Sequence, residues 1–272
     1  MVNVIQVCTW EECQAKIYEI EKENDSLAGV WFRGQSDYKW DIETTLERQG
    51  SSIRQIVDYY RIIGVIKPAV ETFTGAVWKV PSFEKVRKWT EDYDGFSLKL
   101  WAGKEELAYD FLAHLRHQGF PSPLLDWTGS PYVAAYFAFA HAQRSERVAI
   151  YVFAEQPKNI KVGGIAQPAI HSFGSNVRTH KRHFRQQSRY TMCVGYNTSD
   201  GWRFVPHREA FDLGRPNQDL LWKIEIPASE RVKVLGFLNR SNLNAFSLFD
   251  SEESLMEMLA FREIDLRRSK QR

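Results

Sequence analysis

Three groups of residues have the types and spacing that chemistry needs. The first is Trp31-Phe32-Arg33-Gly34-Gln35. An arginine at the end of an apolar strand is placed to face a pocket, and its planar fork of donors suits a phosphate or a carboxylate. Gly34 lets another group approach the backbone closely. The plainer role for Arg33 is a structural ion pair with a buried aspartate. The second group runs from His117 through Gly119, Pro121, Ser122 and Pro123 to Leu124-Leu125-Asp126-Trp127-Thr128. Asp126 lies between two large apolar residues, where an ionised carboxylate needs a partner. Arg33 is the natural candidate. In a structural role, which we favour, Asp126 caps the following helix or locks the loop through backbone N–H groups. His117 is either a donor facing a ligand or a helix-end histidine suited to the C-terminal dipole. The third group is Arg178–Arg189, RTHKRHFRQQSR, with five Arg/Lys, two His and no acid. With Phe184 and Tyr190 interleaved, it could bind RNA, DNA or a dinucleotide phosphate. The plainer reading is a solvated loop or mobile arm.

The elements that must hold these groups follow from periodicity. Thr9 and Glu12 make a capping-box pattern, and Trp10, Cys13, Ile17 and Ile20 fall at helical spacing. A strand is expected at Gly29–Phe32, ending at Arg33-Gly34. Residues 53–66 read as a helix through Ile56, Tyr59, Tyr60 and Ile63, and 68–103 as a candidate insertion with Trp78, Trp89 and Trp101. Lys104–Gln118 reads as a helix with Leu107, Phe111 and Leu115 on one face and Gly119 as its stop. A Pro-rich loop, Phe120–Pro131, leads to Ser130-Pro131 as N-cap and first turn of a helix over Tyr132–Gln143, apolar nearly all round. Strands are expected at Val148–Phe153, Tyr190–Gly195, Leu220–Ile226 and Val232–Phe237, a basic loop over 154–190, and a helix over Glu252–Phe261. Strands that alternate with helices early and cluster late predict an α+β single domain over 1–272, core about 29–261, with a mostly antiparallel, possible split sheet flanked by helices.

Composition narrows the class. The 272 residues carry 36 Lys+Arg against 34 Asp+Glu, a net charge of +2 that selects no partner. The charge is lopsided: 158–223 holds eleven basic and four acidic residues, whereas 1–30 holds six acids and two lysines. With 43% hydrophobic residues and nine Trp, the chain can bury enough apolar surface to fold. Cys8, Cys13 and Cys193 read as reduced thiols, with no partner at zinc spacing, and no metal is expected. Met1–Gln14 contains Glu11 and Glu12 and lacks a basic start, so no signal peptide is expected. The longest apolar stretch, Tyr132–Ala140, falls well short of the roughly 20 residues of a membrane-spanning helix. A cytoplasmic protein without membrane contact is the expectation. Walker-type phosphate loops, Gly-x-Gly-x-x-Gly, His-Glu-x-x-His and Gly-x-Ser-x-Gly are missing, which lowers P-loop, hydride-transfer, zincin and α/β-hydrolase chemistry.

The three groups together resemble the FRG domain family, named for its aromatic-Arg-Gly motif. Phe32-Arg33-Gly34-Gln35 matches the name motif, with Trp40 and Leu46 after it. His117, Gly119, Leu124-Leu125-Asp126-Trp127-Thr128, Pro131, Ala135, Tyr136, Phe137 and Ala138 resemble the family's central signature. Arg182, Gln186, Ser188, Tyr190 and Thr191 resemble a third block. Departures are Arg116 where glutamine is usual, Ser122-Pro123 for Thr-Arg, and Ser188 for glycine. The resemblance covers roughly 29–261 and implies a bacterial or phage protein in a defence or toxin-like setting. A weaker analogy is to ADP-ribosyltransferases, which open with a strand ending in Arg-Gly, brace NAD phosphates with that arginine, and have a split, mostly antiparallel sheet.

These implications give three readings. In the first the chain is an NAD-consuming transferase or glycohydrolase. Arg33 then holds the pyrophosphate, His117 or Gln35 the ribose, Tyr190 or Tyr136 stacks on nicotinamide, and a carboxylate stabilises the oxocarbenium-like centre. Glu225, between Ile224 and Ile226 on a strand, is the candidate acid, beside Glu209 and Glu252. Gly34, Asp126, Thr128, Arg182 and Gln186 complete the candidate binding set. In the second reading the chain binds nucleic acid through 178–189, or is nucleolytic through it. In the third the chain is a non-catalytic sensor or protein-binding domain, its acidic N-terminal helix and basic middle segment mating head to tail in a homo-oligomer.

Overall fold

Strand β1 (Asn3–Gln6) leads into helix α1 (Trp10–Glu23), which begins where Thr9 Oγ1 accepts the Glu12 N–H at 3.2 Å. Its buried residues are Trp10, Cys13, Ile17 and Ile20, the expected face. The computed structural model describes residues 2–24, 29–50, 53–91, 107–155, 167–174, 177, 179–214 and 219–270. The expected helix start at Lys104–Glu106, residues 92–103 of the candidate insertion, and Arg178 lie outside them.

The other strands are β2 (Val30–Gln35), β3 (Leu125–Thr128), β4 (Arg147–Ala154), β5 (Ala169–Phe173), β6 (Ser188–Asn197), β7 (Gly201–Phe204) and β8 (Leu220–Pro227). They form one open sheet in the order β1-β8-β4-β2-β3-β6-β5, with β7 on β6. The β1–β8 pairing is parallel and the others are antiparallel. The architecture is a single α+β domain. Strands β2 and β3 share one register pair, Phe32↔Thr128, whereas β2 pairs with β4 at six positions. Beyond Phe32 the two strands part, and the sheet is split there.

The remaining helices cover the sheet. They are α2 (Thr45–Arg48), α3 (Ile56–Thr74), α4 (Phe83–Glu91), α5 (Tyr109–His117), α6 (Pro131–Ala140), α7 (Arg182–Arg185), α8 (His207–Asp212), α9 (Arg231–Arg240), α10 (Ala245–Phe249) and α11 (Glu252–Ala260). A π turn, Phe261–Asp265, joins α11 to α12 (Leu266–Lys270). One core packs α1, α6 and α9 on Phe32, Ile150, Val152, Ile224 and Ile226. A second packs α3, α4 and α5 on Tyr190, Met192 and Val194. The third, around Trp31, Trp127, Tyr151, Phe153 and Phe211, lies on the Trp31 side of β2.

Two glycine and serine positions fix α6. Ser130 caps it by accepting the Val133 N–H at 3.3 Å. Gly34 lies directly beneath it: an added Cβ would sit 1.9 Å from the Ala134 carbonyl oxygen and 2.6 Å from the Ala138 nitrogen. No side chain can occupy that gap at van der Waals distance.

Three expectations need correction. Val232–Phe237 is part of helix α9, because Val234, Leu235 and Leu238 bury one helical face and the paired valines mimic a strand. Residues 120–131 contain strand β3, with Leu125 and Trp127 buried on one side and Asp126 and Thr128 on the other. The 154–190 stretch contains β5 and α7. Residues 75–91 of the candidate insertion pack Val86, Trp78, Val80 and Trp89 into the second core.

Candidate functional site

Where β2 and β3 part, a cleft of about 370 Å3 opens. Arg33, on β2, bridges the gap. Its Nη1 donates to the Asp126 carbonyl oxygen and to Asp126 Oδ1, both at 2.8 Å. Arg116, near the end of α5, donates from Nη2 to the same Oδ1 at 2.5 Å. Burial works against charge on Asp126, but Arg116 and Arg33 outweigh it and hold its pKa below the usual carboxylate range. The Asp126 side chain is 43% exposed and both bonds fall on Oδ1, so Oδ2 is the oxygen open to a ligand. The cap on the following helix is Ser130, not Asp126.

Beside this cluster stand Gln35 and His117. Gln35 is 6% exposed; its Nε2 donates to the Asp41 carbonyl at 2.9 Å, and its Oε1 is buried without a hydrogen-bond partner. His117 Nε2 lies 2.5 Å from the Tyr190 hydroxyl, which also lies 3.2 Å from His183 Nδ1. That hydroxyl has one proton, so it donates to one imidazole and accepts from the other. Burial, and after it the nearby histidines and Arg116, lowers the His117 pKa to about 4 against the pull of Asp126. The ring is neutral at physiological pH. Burial raises the Tyr190 pKa above its ordinary value.

Thr128 donates to the Gln186 carbonyl at 2.7 Å and pins the turn before β6 to the end of β3. Behind Trp127, its Nε1 donates to Thr191 Oγ1 at 2.8 Å, and that oxygen lies 2.9 Å from His207 Nε2. His207 is fully buried, and burial lowers its pKa to about 3.

Of the sequence-derived candidates, Arg33, Gly34, Gln35, His117, Asp126, Thr128, Arg182, Gln186 and Tyr190 all line this one cleft. Tyr136 lines a separate 260 Å3 cavity. Glu225 is not brought to the cleft. It lies on β8, two strands from Gln35 through Ala149, where Lys223 Nζ approaches its Oε1 at 3.2 Å and Gln6 Nε2 donates to its Oε2 at 3.1 Å. Strand alternation predicted its face of the sheet but not its distance across it. Glu209 and Glu252 do not line the cleft either.

The sequence reading passed over Arg48, at the end of α2, and His141, while Trp40, Arg116 and Phe249 entered it only through the family pattern. All five line the cleft. For Arg48 a signal was present: Thr44 and Glu47 form a capping box, Glu47 N donating to Thr44 Oγ1 at 3.2 Å and Thr44 N to Glu47 Oε2 at 2.6 Å. Trp40 is 52% exposed, a free aromatic face at the cleft. The cleft thus gathers four guanidinium groups, Arg33, Arg48, Arg116 and Arg182, around one carboxylate.

The described part of the basic run is tied to the fold, although Lys181, Phe184 and Arg185 remain exposed. Lys181 and Arg185 both pair with Asp250, the latter at 3.0 Å. Arg182 Nε donates to the Phe249 carbonyl at 3.3 Å, and Arg189 lies over the Trp31 ring at 4.9 Å. Among the described residues no three His, Cys, Asp or Glu side chains come together as metal ligands, and no helix is long and apolar enough to cross a membrane.

An α+β domain with a cationic cleft at a split in its sheet is the class of protein that fold and site define. Residues 28–147 match the model of the FRG domain family. No curated protein and no solved structure gives a match.

Proposed function

We propose that the cleft binds a dinucleotide of the NAD class and consumes it by releasing nicotinamide, with ADP-ribosyl transfer or hydrolysis as the outcome. One observation carries the reading: four guanidinium groups surround a single carboxylate in a cleft of ligand size, beside exposed Trp40. Such a site suits a ligand with a doubly charged diphosphate and flat rings. Arg33 and Arg116, held by Asp126, present fixed cationic edges to the diphosphate. Trp40 offers a stacking face. Gln35 Oε1, a buried acceptor without a donor, suits a ribose hydroxyl or the carboxamide N–H of nicotinamide. As the glycosidic bond breaks, nicotinamide leaves with the bonding pair and positive charge grows on the ribose. Asp126 is the one carboxylate among the described lining residues, so carboxylate assistance to that centre falls to its Oδ2. A water or an acceptor nucleophile then bonds to the ribosyl carbon and releases its proton to solvent. Consumption of a cellular dinucleotide is consistent with a toxin-like or defence role, which belongs to the same proposal.

The test is incubation of the full chain with NAD and quantitation of free nicotinamide. Trp40→Ala is the companion variant, because Trp40 is half-exposed and its replacement leaves the core intact. We expect release by the wild type and a lower rate with Trp40→Ala. A folded wild type that releases no nicotinamide, with or without cell lysate as acceptor, overturns turnover. Failure to bind NAD or ADP-ribose overturns the whole reading.

A further inference from the structure

Arg33 and Arg116 are not equivalent to Arg48. Both of the former are tied to Asp126 Oδ1, Arg33 also to the Asp126 carbonyl. Their charges are therefore partly compensated and their orientation is fixed. Arg48 has no ion-pair partner among the described residues. The acid one residue before it, Glu47, is engaged by the Thr44 N–H in the capping box. Helix α2 itself is held in place: Leu46 is buried, the Leu46 N–H donates to the Ser122 carbonyl at 3.2 Å, and the Ser122 N–H to Thr45 Oγ1 at 3.0 Å. The base of the Arg48 side chain is thus anchored beside the cleft while its head remains uncommitted. Partial desolvation, then repulsion from Arg33 and Arg116, lowers its pKa despite Asp126 and Glu43.

We infer that Arg48 is the residue that grips the ligand's diphosphate, and that Arg33 is a positioning residue bracing the split between β2 and β3. The cleft's four guanidinium groups against one carboxylate leave a positive surplus that can take up the two negative charges of a diphosphate bridge. The inference rests on the proposed dinucleotide reading and reverses its simplest form, in which Arg33 is the phosphate anchor.

The experiment is calorimetric titration of the full chain with inorganic pyrophosphate, ADP-ribose and NAD at several salt concentrations. It compares wild type, Arg48→Gln, Arg48→Lys and Arg33→Lys. Arg48→Gln is expected to weaken pyrophosphate and ADP-ribose by about tenfold or more, the worth of a charge-assisted hydrogen bond. It should also flatten the salt dependence, with no change in melting temperature. Arg48→Lys should recover part of the affinity, restoring charge without the fork. Arg33→Lys should lower the melting temperature and retain the wild-type salt dependence. A folded Arg48→Gln variant with wild-type affinity overturns the assignment and leaves the dinucleotide reading standing. Pyrophosphate binding that depends on Arg48, with no NAD binding, upholds the assignment and removes the dinucleotide reading. A wild type that binds none of the three ligands removes both.

Discussion

Two sets of cations in this chain differ in their spacing along the sequence and in the partners the fold gives them. The run 181–189 is dense in charge, yet Lys181 and Arg185 share Asp250, Arg182 meets the Phe249 carbonyl and Arg189 covers Trp31. The cleft set, Arg33, Arg48 and Arg116, is scattered over more than eighty residues, and its one carboxylate pairs with Arg33 and Arg116 but not with Arg48. Each described cation of the contiguous run is tied to a partner of its own fold, whereas in the cleft Arg48 has no ion-pair partner among the described residues. Available charge is a property of partners, not of density along the chain.

The harshest way to break the contrast is to move the strand that carries Arg33. Gly34→Ala would place a methyl against the Ala134 carbonyl and the Ala138 nitrogen, backbone atoms that cannot rotate away. We expect loss of the folded state, read by circular dichroism and soluble yield. A stable, soluble Gly34→Ala variant would show that α6 can lift from β2.

Asp126→Asn removes the acid from the cleft set. Breaking a buried ion pair costs roughly 3–5 kcal/mol, and partial exposure of Asp126 reduces this to about 2 kcal/mol. The pH dependence follows from the lowered pKa of Asp126 in the fold. Its contribution is full above the unfolded value, near pH 4, and is lost as pH falls towards the folded one. Wild type and Asp126→Asn should therefore differ in chemical denaturation at pH 7 and converge in strong acid. Equal stability at pH 7 would contradict the account.

The histidines repeat the contrast at a similar scale. His207 is fully buried with a pKa of about 3. The unfolded chain takes up its proton near pH 6.5 and the fold does not, so stability falls as pH drops through that window. From pH 6.5 to 5 the loss is about 2 kcal/mol at 1.36 kcal/mol per unit. Denaturation curves across this range should show it, and His207→Gln should flatten the slope.

The smallest effect on stability is expected at Asp250, whose partners are surface cations. Asp250→Asn should leave the melting temperature nearly unchanged and free Lys181 and Arg185. Retention on a polyanion column should then rise, in a salt-sensitive manner. Unchanged retention would show that Asp250 was not what compensated the run.

Much of the site was legible in the sequence because its residues sit in short, locally constrained motifs. Arg33-Gly34-Gln35 ends a strand, and Asp126 stands between Leu125 and Trp127, a setting that demands a cationic partner. That Arg33 supplies it could be reasoned from burial alone. What escaped were long-range consequences. Arg48 has an ordinary local context, and only the docking of α2 on Ser122 brings it to the cleft. Glu225 alternates correctly on β8, but strand order decides its distance from Arg33, and strand order is not local. Val232–Phe237 misled because β-branched residues favour strands, while the burial of Val234, Leu235 and Leu238 against α6 fixes a helix. The Leu125–Thr128 strand was hidden by the prolines on either side of it.

The central claim is that the surplus charge lies in the cleft and meets a dinucleotide diphosphate there. Titration calorimetry of ADP-ribose into the full chain at low salt tests it most directly. The account predicts saturable one-site binding that weakens with added salt and with Trp40→Ala, and that is undisturbed by Asp250→Asn. Absence of binding by the folded protein, or binding that follows Asp250 rather than Trp40, would contradict it.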